Sequence, residues 1–215
     1  MENAIGKNKI IKDMNMRSFF TLLAVIFSAC ISKSTYSQDL LPESLYYYEG
    51  NQKVLLEIDP SLVAEFGGTT SAGGRNLNSP LVKADANAKL IRSHGQINIW
   101  KTNGQGGAVG ISKSLNQSQN QGYSPIFRSL KGSANLALPG NIIVELERGI
   151  TEKQAEVFFG SKGLRIFKKH ELDGRNFYEV ETPAGAASLN IANSLYGQSG
   201  VISSSPNWWR EVTAK

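Results

Sequence analysis

The pattern of apolar and polar positions is most regular between Leu138 and Trp209. Apolar residues first alternate with mostly polar ones over 142–146, which predicts a strand with one buried face. A period of 3.6 residues follows over 151–159, where Thr151 and Gln154 have the spacing of a capping box at a helix N-terminus. This part of the chain therefore predicts a strand followed by a helix.

The rest of the stretch predicts two further strands, a second helix and a last strand. Strand-like runs over 164–172 and 176–182 are separated by Asp173-Gly174, a dipeptide typical of tight hairpin turns because such turns need positive φ. Helical spacing returns over 184–196, and Val201-Ile202 begin the final strand. The predicted order is thus strand, helix, strand, strand, helix, strand.

This order predicts a ferredoxin-like βαββαβ domain, with a four-stranded antiparallel sheet and both helices on one face. The chain before it predicts a β-rich accessory region, with a hairpin over 45–58 and one strand or a strand pair over 90–100. Segments rich in Gly, Asn and Gln at 67–80 and 103–122 predict loops.

We therefore predict an α+β fold class in three parts. These are a signal peptide at 1–37, the β-rich accessory region at 38–135 and the C-terminal domain at 136–215.

The N-terminus has the pattern of an export signal. The apolar run Phe19–Ile31 follows Arg17 and is 13 residues long, too short to span a bilayer comfortably but suited to the core of a secretory signal. Small residues at Thr35 and Ser37 predict cleavage before Gln38. We expect a secreted or periplasmic protein.

Cys30 is the only cysteine in the chain. The sequence before it has a faint likeness to a lipoprotein signal, so a lipid anchor at the cell envelope is the alternative location. Without that anchor Cys30 leaves with the signal, and a start at Met14 or Met16 gives the signal ordinary proportions. The exported chain then has no disulfide, and packing alone must stabilise its fold.

The net charge of +5 comes largely from the N-terminus. The first 37 residues hold five basic and two acidic residues, whereas the chain from Leu136 onward holds nine of each. No basic stripe remains after the predicted signal, so we expect no nucleic-acid binding. Membrane contact is expected only through the signal peptide or a lipid on Cys30.

Few side chains suit catalysis or metal binding. His94 and His170 are the only histidines, and without cysteines the usual ligands of a zinc site are missing. Glu179 and Glu181 lie on one face of a predicted strand, where a solvated sheet face explains them. The Gly-rich segment at 103–122 lacks the Gly-Lys-Ser/Thr of a phosphate-binding loop. We expect no catalytic residue, no metal and no cofactor.

Several segments carry a family resemblance when taken in order. The strongest are Asn141–Ala155, Ala192–Tyr196 and Gly200–Asn207, with weaker likeness at Tyr46–Tyr48 and Ser124–Phe127. Together they resemble the N-terminal propeptide region of secreted subtilisin-like serine proteases, the subtilases.

The resemblance implies a binding module and not an enzyme. In subtilases the propeptide assists folding of its protease and then inhibits it, with its sheet packed on the enzyme and its C-terminal tail extended in the substrate cleft. The catalytic signatures Asp-Ser/Thr-Gly and His-Gly-Thr-His are not found. His94-Gly95 shares two letters with the second, and the likeness of Gly68–Ala72 to a Gly-Thr-Ser motif is superficial.

The expected partner is a subtilisin-like serine protease, bound in trans or as a missing C-terminal half. By this resemblance, the residues expected to bind it are those of the tail: Asn207, Trp208, Trp209, Arg210, Glu211, Val212, Thr213, Ala214 and Lys215.

Two other functions remain open from the sequence. One is an inactive N-terminal remnant of a split or truncated subtilase precursor. The other is an exported β-rich adhesion or carbohydrate-binding module that uses Tyr46–Tyr48 and Trp100. Cross-strand packing is the alternative for the tyrosines, and for Trp208-Trp209 the alternatives are a cap on the core or contact with a partner.

Overall fold

The computed structural model describes residues 45–67, 79–104, 106–118, 122–132, 134–172 and 174–212. The predicted signal peptide with Cys30, most of the loop predicted at 67–80, and the last three residues of the tail lie outside these ranges. In the described part, no helix has the length and apolar character needed to cross a membrane.

The described residues form eleven strands and four helices. The strands are β1 (Leu45–Glu49), β2 (Gln52–Phe66), β3 (Lys89–His94), β4 (Ile97–Lys101), β5 (Gly122–Ser129), β6 (Asn135–Ala137), β7 (Ile142–Leu146), β8 (Ile166–Leu172), β9 (Arg175–Val180), β10 (Val201–Pro206) and β11 (Trp209–Arg210). The helices are α1 (Pro80–Ala84), α2 (Gly107–Ser118), α3 (Glu152–Gly160) and α4 (Ala186–Leu195).

The first sheet has seven antiparallel strands in the order β11-β6-β5-β2-β4-β3, with β1 paired to β2. The long strand β2 organises it, since its first half pairs with β1 and its second half with β4. The register between β2 and β5 shifts between Asp59 and Val63. Asp59 fixes this irregularity by accepting bonds from the Ser61 amide at 3.0 Å and from Arg128 Nη2 at 2.9 Å.

The first sheet curls until its two end strands meet. Glu211 directly follows β11, yet its Oε1 lies 2.7 Å from Arg92 Nε on β3. The rings of Trp209 and His94 are 6.0 Å apart. One apolar cluster brings together side chains from five of these strands, namely Leu62, Ala64, Phe66, Ile97, Ile99, Ile126, Ala137 and Trp209. The curl therefore has its own apolar core.

Helices α1 and α2 cover the opposite side of the same strands. Ala108, Ile111 and Leu115 of α2 pack against a cluster that includes Trp100 and Tyr123. The prediction of a loop over 103–122 was therefore wrong for 107–118. Ser114, Gln117 and Ser118 lie on the solvent side of α2. Helical propensity is weak enough for tertiary packing to override it.

A buried carboxylate ties these layers together. Glu65 on β2 is 2% exposed. Its oxygens accept hydrogen bonds from four side chains: Ser79 Oγ at 2.8 Å, Asn98 Nδ2 at 3.2 Å, Trp100 Nε1 at 2.8 Å and Tyr123 Oη at 3.2 Å. The same Ser79 Oγ accepts from the Leu81 amide and so caps α1.

The second sheet has four antiparallel strands in the order β10-β7-β9-β8. The elements over 142–206 follow one another in the predicted order, and the capping box of Thr151 and Gln154 is confirmed at the start of α3. The core of this sheet lies between its strands and the two helices. It contains Ile142, Val144, Leu146, Ala155, Phe159, Tyr178, Val180, Ala192 and Leu195.

The predicted fold class, α+β with a ferredoxin-like βαββαβ domain and two helices on one face, was wrong. The structure is β-rich, since strands make up 45% and helices 24% of the described residues, in two antiparallel sheets. Helix α4 shows why the C-terminal elements do not form a separate layer. Its Leu189 packs in the core of the first sheet and its Ala192 in that of the second, and Asn193 Nδ2 donates to Tyr46 O at 2.8 Å.

The chain passes from the first sheet to the second through Gly140-Asn141. Both residues have positive φ, 110° at Gly140 and 61° at Asn141. A Cβ at residue 140 would lie 2.8 Å from Thr182 O, so glycine alone fits there without displacement. Asn141 Nδ2 donates to Glu179 Oε1 at 2.8 Å, which ties the connection to β9.

We predict that Glu65→Ala lowers the free energy of unfolding by about 3 kcal/mol, because four buried donors lose an acceptor that water cannot replace. Urea denaturation would measure the loss. Glu57→Ala on the exposed face of the same strand is the control, with an expected change within about 0.5 kcal/mol. Equal losses in the two variants would contradict a special role for Glu65.

A second prediction concerns alkaline pH. Burial, with the Glu65 carboxylate next to it, raises the pKa of Tyr123 well above its usual range. A raised pKa means that the folded state holds the proton after the unfolded state has lost it, so stability falls as pH rises above about 10. Tyr123→Phe should make this fall shallower in urea titrations between pH 9 and 11. An unchanged slope would refute the prediction.

Candidate functional site

The candidate site is the face of the second sheet that points away from α3 and α4, called here the outer face. Val144 and Tyr178 point toward the helices, so their neighbours Ile143, Glu145 and Phe177 point the other way. None of the described helices or strands packs extensively across this face. It is therefore a candidate surface for contact with another molecule.

An ion pair on the outer face joins the two middle strands, β7 and β9, close to one end of each. Arg175 on β9 donates through Nε to Glu145 Oε1 at 2.8 Å and through Nη2 to Oε2 at 2.6 Å. The Arg175 guanidinium lies 4.5 Å from the centre of the Phe177 ring. The hydrogen bonds from Arg175 lower the pKa of Glu145 below its usual range, although burial of the carboxylate acts in the opposite direction. The paired charges and the ring form one rigid group.

Exposed apolar side chains lie at the margins of this sheet. Phe167 is 59% exposed, Leu172 53% and Ile202 49%. The first two are on the edge strand β8 and the third is on the edge strand β10. The register also places Lys168 and His170 of β8 opposite Glu179 and Phe177, so the β8 side of the outer face mixes charged and apolar side chains.

A groove of about 430 Å³ continues the outer face beyond β10. Its walls include Ser203 and Ser205 of β10, the ring of Tyr48 and the side chain of Trp208. Glu145 and Arg175 also line it, so the groove and the outer face are continuous.

The structure places two residues of the predicted protease-binding tail, Trp209 and Arg210, in the first sheet as β11. The Asn207 amide donates to Asn141 O at 3.3 Å. The Trp208 ring packs edge-on against Tyr47 and Phe127 at 5.2 and 5.6 Å, and Trp209 and Arg210 pair with β6. The interpretation that a tryptophan of this pair caps the core is confirmed.

Glu211 makes several polar contacts near the end of the described part of the tail. Its Oε1 meets Arg92 Nε at 2.7 Å and His94 Nε2 at 3.1 Å, and its Oε2 accepts from Asn135 Nδ2 at 2.6 Å. The Glu211 amide donates to Asn135 O at 2.9 Å. Val212 is exposed, and Thr213, Ala214 and Lys215 lie outside the described residues.

The aromatic residues proposed for carbohydrate binding are engaged elsewhere. Trp100 and Tyr47 are buried, and the Tyr48 ring is stacked on Tyr196 with 3.6 Å between centres. Lys53 Nζ lies over the Tyr46 ring at 3.6 Å. The tyrosine rings stabilise the β1–β2 hairpin and its contact with the end of α4. Trp100 packs instead in the cluster under α1 and α2.

The structure separates the two histidines. His94 contacts Glu211, whereas His170 Nε2 lies 3.5 Å from Glu179 Oε2 on the second sheet. Glu181 pairs with Arg165 at 2.6 Å. Across the described ranges, no three His, Cys, Asp or Glu side chains are grouped so as to hold a metal ion.

Comparison with known proteins gives no relative: no protein-family model, curated protein or solved structure matches this chain. The likeness to subtilase propeptides stays a prediction, and the outer face is described from its own geometry.

The ion pair of Glu145 and Arg175 was not predicted from the sequence. One signal was present, since Glu145 interrupts an otherwise apolar strand and must find a partner when that strand is buried. The partner could not be read from the sequence, because it is 30 residues away and depends on the register between β7 and β9.

We predict that the ion pair makes the protein sensitive to acid. Because the folded-state pKa of Glu145 is lowered, its contribution is present above the unfolded value of about 4.3 and is lost as pH falls through the folded value. Glu145→Gln should therefore reduce the loss of stability below pH 4, measured by thermal unfolding. Glu156→Gln, on the exposed side of α3, should leave that loss unchanged, and identical curves for both variants would contradict the prediction.

Proposed function

We propose that this protein is a propeptide-like binding module that binds a subtilisin-like serine protease, inhibiting it and assisting its folding. The observation that carries the proposal is the outer face of the second sheet. It is a broad surface on a rigid scaffold, left open by the described helices and strands and bounded by exposed Phe167, Leu172 and Ile202.

The composition of this surface suits contact with a protein. Interfaces are rich in aromatic and arginine side chains, and their strongest contacts cluster at the centre. Arg175 stacked on Phe177 supplies both types at one point. Because Glu145 already holds the guanidinium in place, binding would cost little side-chain entropy there.

The choice of a subtilase as partner rests on the resemblance, and the position of the resembling segments supports it. Asn141–Ala155 contains β7 and the start of α3, and Gly200–Asn207 contains β10. These two strands are neighbours in the second sheet. Two of the segments that resemble a propeptide thus supply two of the four strands of the surface proposed to bind.

The tail has a different place in the proposal. A tail that enters a substrate cleft binds as an added strand, through main-chain hydrogen bonds. In the free protein, Trp209 and Arg210 already make such bonds with β6. Binding through the outer face needs no rearrangement, whereas binding through the tail requires that β11 leave the first sheet.

The proposal predicts tight inhibition when the purified protein is titrated against a broad-specificity subtilisin. Phe177→Asp should weaken inhibition about 100-fold, the size expected at a central interface residue. Val157→Asp is the matched control, since Val157 is an exposed apolar residue on α3, and it should inhibit like the wild type.

Circular dichroism and thermal unfolding would show that both variants are folded. Folding assistance would appear as a higher yield of active protease when denatured enzyme is refolded with the protein. No inhibition by the wild type, or rapid digestion of it, would refute the proposed function, and equal inhibition by all three proteins would refute the outer face as the binding surface.

A further inference from the structure

We propose that β11 is a releasable latch, which holds the tail in the first sheet and so withholds it from a protease. This inference rests on the proposed function, because it concerns the segment expected to enter the cleft. A permanently extended tail would always be available to the protease. Here the pairing of Trp209 and Arg210 with β6 competes with their binding in the protease cleft.

The backbone contribution of the latch is small. β11 consists of two residues, Trp209 and Arg210, and its main-chain pairing is with β6 alone. Pairing is extended by one further bond, from the Glu211 amide to Asn135 O. Short terminal segments with few backbone bonds open at low free energy compared with the core.

Side-chain contacts also hold the tail on the first sheet, and Glu211 makes three of them. The Glu211 side chain is 8% exposed, while its partners Arg92 and His94 are 43% and 41% exposed. Asn135 Nδ2 completes the set from β6 at 2.6 Å. The latch therefore has a buried carboxylate on the tail and a receiving site on β3 and β6.

The tail has a defined point about which it can open. Trp208 is fixed between Tyr47 and Phe127 in the core shared with α4. Trp209 packs against a different cluster, the one inside the curled sheet, and both tryptophans are partly buried. Release of 209–212 would leave Trp208 in place, and four extended residues reach about 13 Å.

The consequence for inhibition is quantitative. If only the released tail enters a cleft, the apparent inhibition constant exceeds the intrinsic one by the reciprocal of the released fraction. Weakening the receiving site raises this fraction without changing the tail sequence. Inhibition should therefore become tighter when Arg92 and His94 are replaced.

The test uses the double variant Arg92→Gln/His94→Gln, with Lys83→Gln on the exposed side of α1 as control. Amide hydrogen exchange at Trp209, Arg210 and Glu211 reports on the latch without any protease. We expect exchange there about tenfold faster in the double variant, with the core of the second sheet unchanged. The inhibition constant for a broad-specificity subtilisin should fall by about the same factor. The control should match the wild type in both measurements.

The outcomes separate the latch from the proposed function. If the double variant has the same amide exchange rates at 209–211 as the wild type, the latch proposal is overturned, whatever inhibition constant is measured. Faster exchange with an unchanged inhibition constant shows that the tail is not the limiting segment, and this also overturns the proposal. Faster exchange with no inhibition by any of the proteins refutes the proposed function. It also overturns the proposed role of the latch, which is to withhold the tail from a protease. Glu211→Gln keeps the shape of the side chain and removes its charge, so it should also speed amide exchange at 209–211. Agreement between the two variants would show that the faster exchange is not caused by a folding defect in the double variant.

Discussion

The buried Glu65 carboxylate is the constraint on which the first sheet depends. A charged group without water is tolerated only when donors surround it, and here the four donors come from the cap of α1, from β4 and from β5. Satisfying one side chain therefore fixes the relative positions of three elements on β2. The end strands β3 and β11 of the same sheet meet through separate contacts, those of Arg92 and His94 with Glu211.

The second sheet is joined to the first by shared packing. Leu189 of helix α4 packs in the core of the first sheet, and Ala192 of the same helix packs in the core of the second. After β10, the Trp208 ring packs against Tyr47 of the first sheet. The α4 contacts occupy the helix side of the second sheet, and among the described helices and strands none packs extensively across the outer face. The surface proposed to bind a protease is thus a product of how the two sheets are joined.

Local signals in the sequence predicted much of the secondary structure. The hairpins β1–β2 and β8–β9, the strand pair β3–β4 and the capping box at Thr151 are confirmed. Short-range turn chemistry and alternation are sufficient for these, because the interacting residues are close in sequence. Helix α2 was missed, since its stability comes from Ile111 and Leu115 packing on Trp100 and Tyr123.

The sequence by itself determined which segments become strands and helices between 142 and 206, and that the outer face carries Glu145, Arg175 and Phe177 once those strands pair. Only the tertiary structure decided the β-rich class, the sharing of α4 between two sheets and the position of the tail. The bonds of Glu211 to Arg92 and His94 join residues more than 100 positions apart. Contacts over such separations depend on the path of the whole chain, which no local pattern encodes.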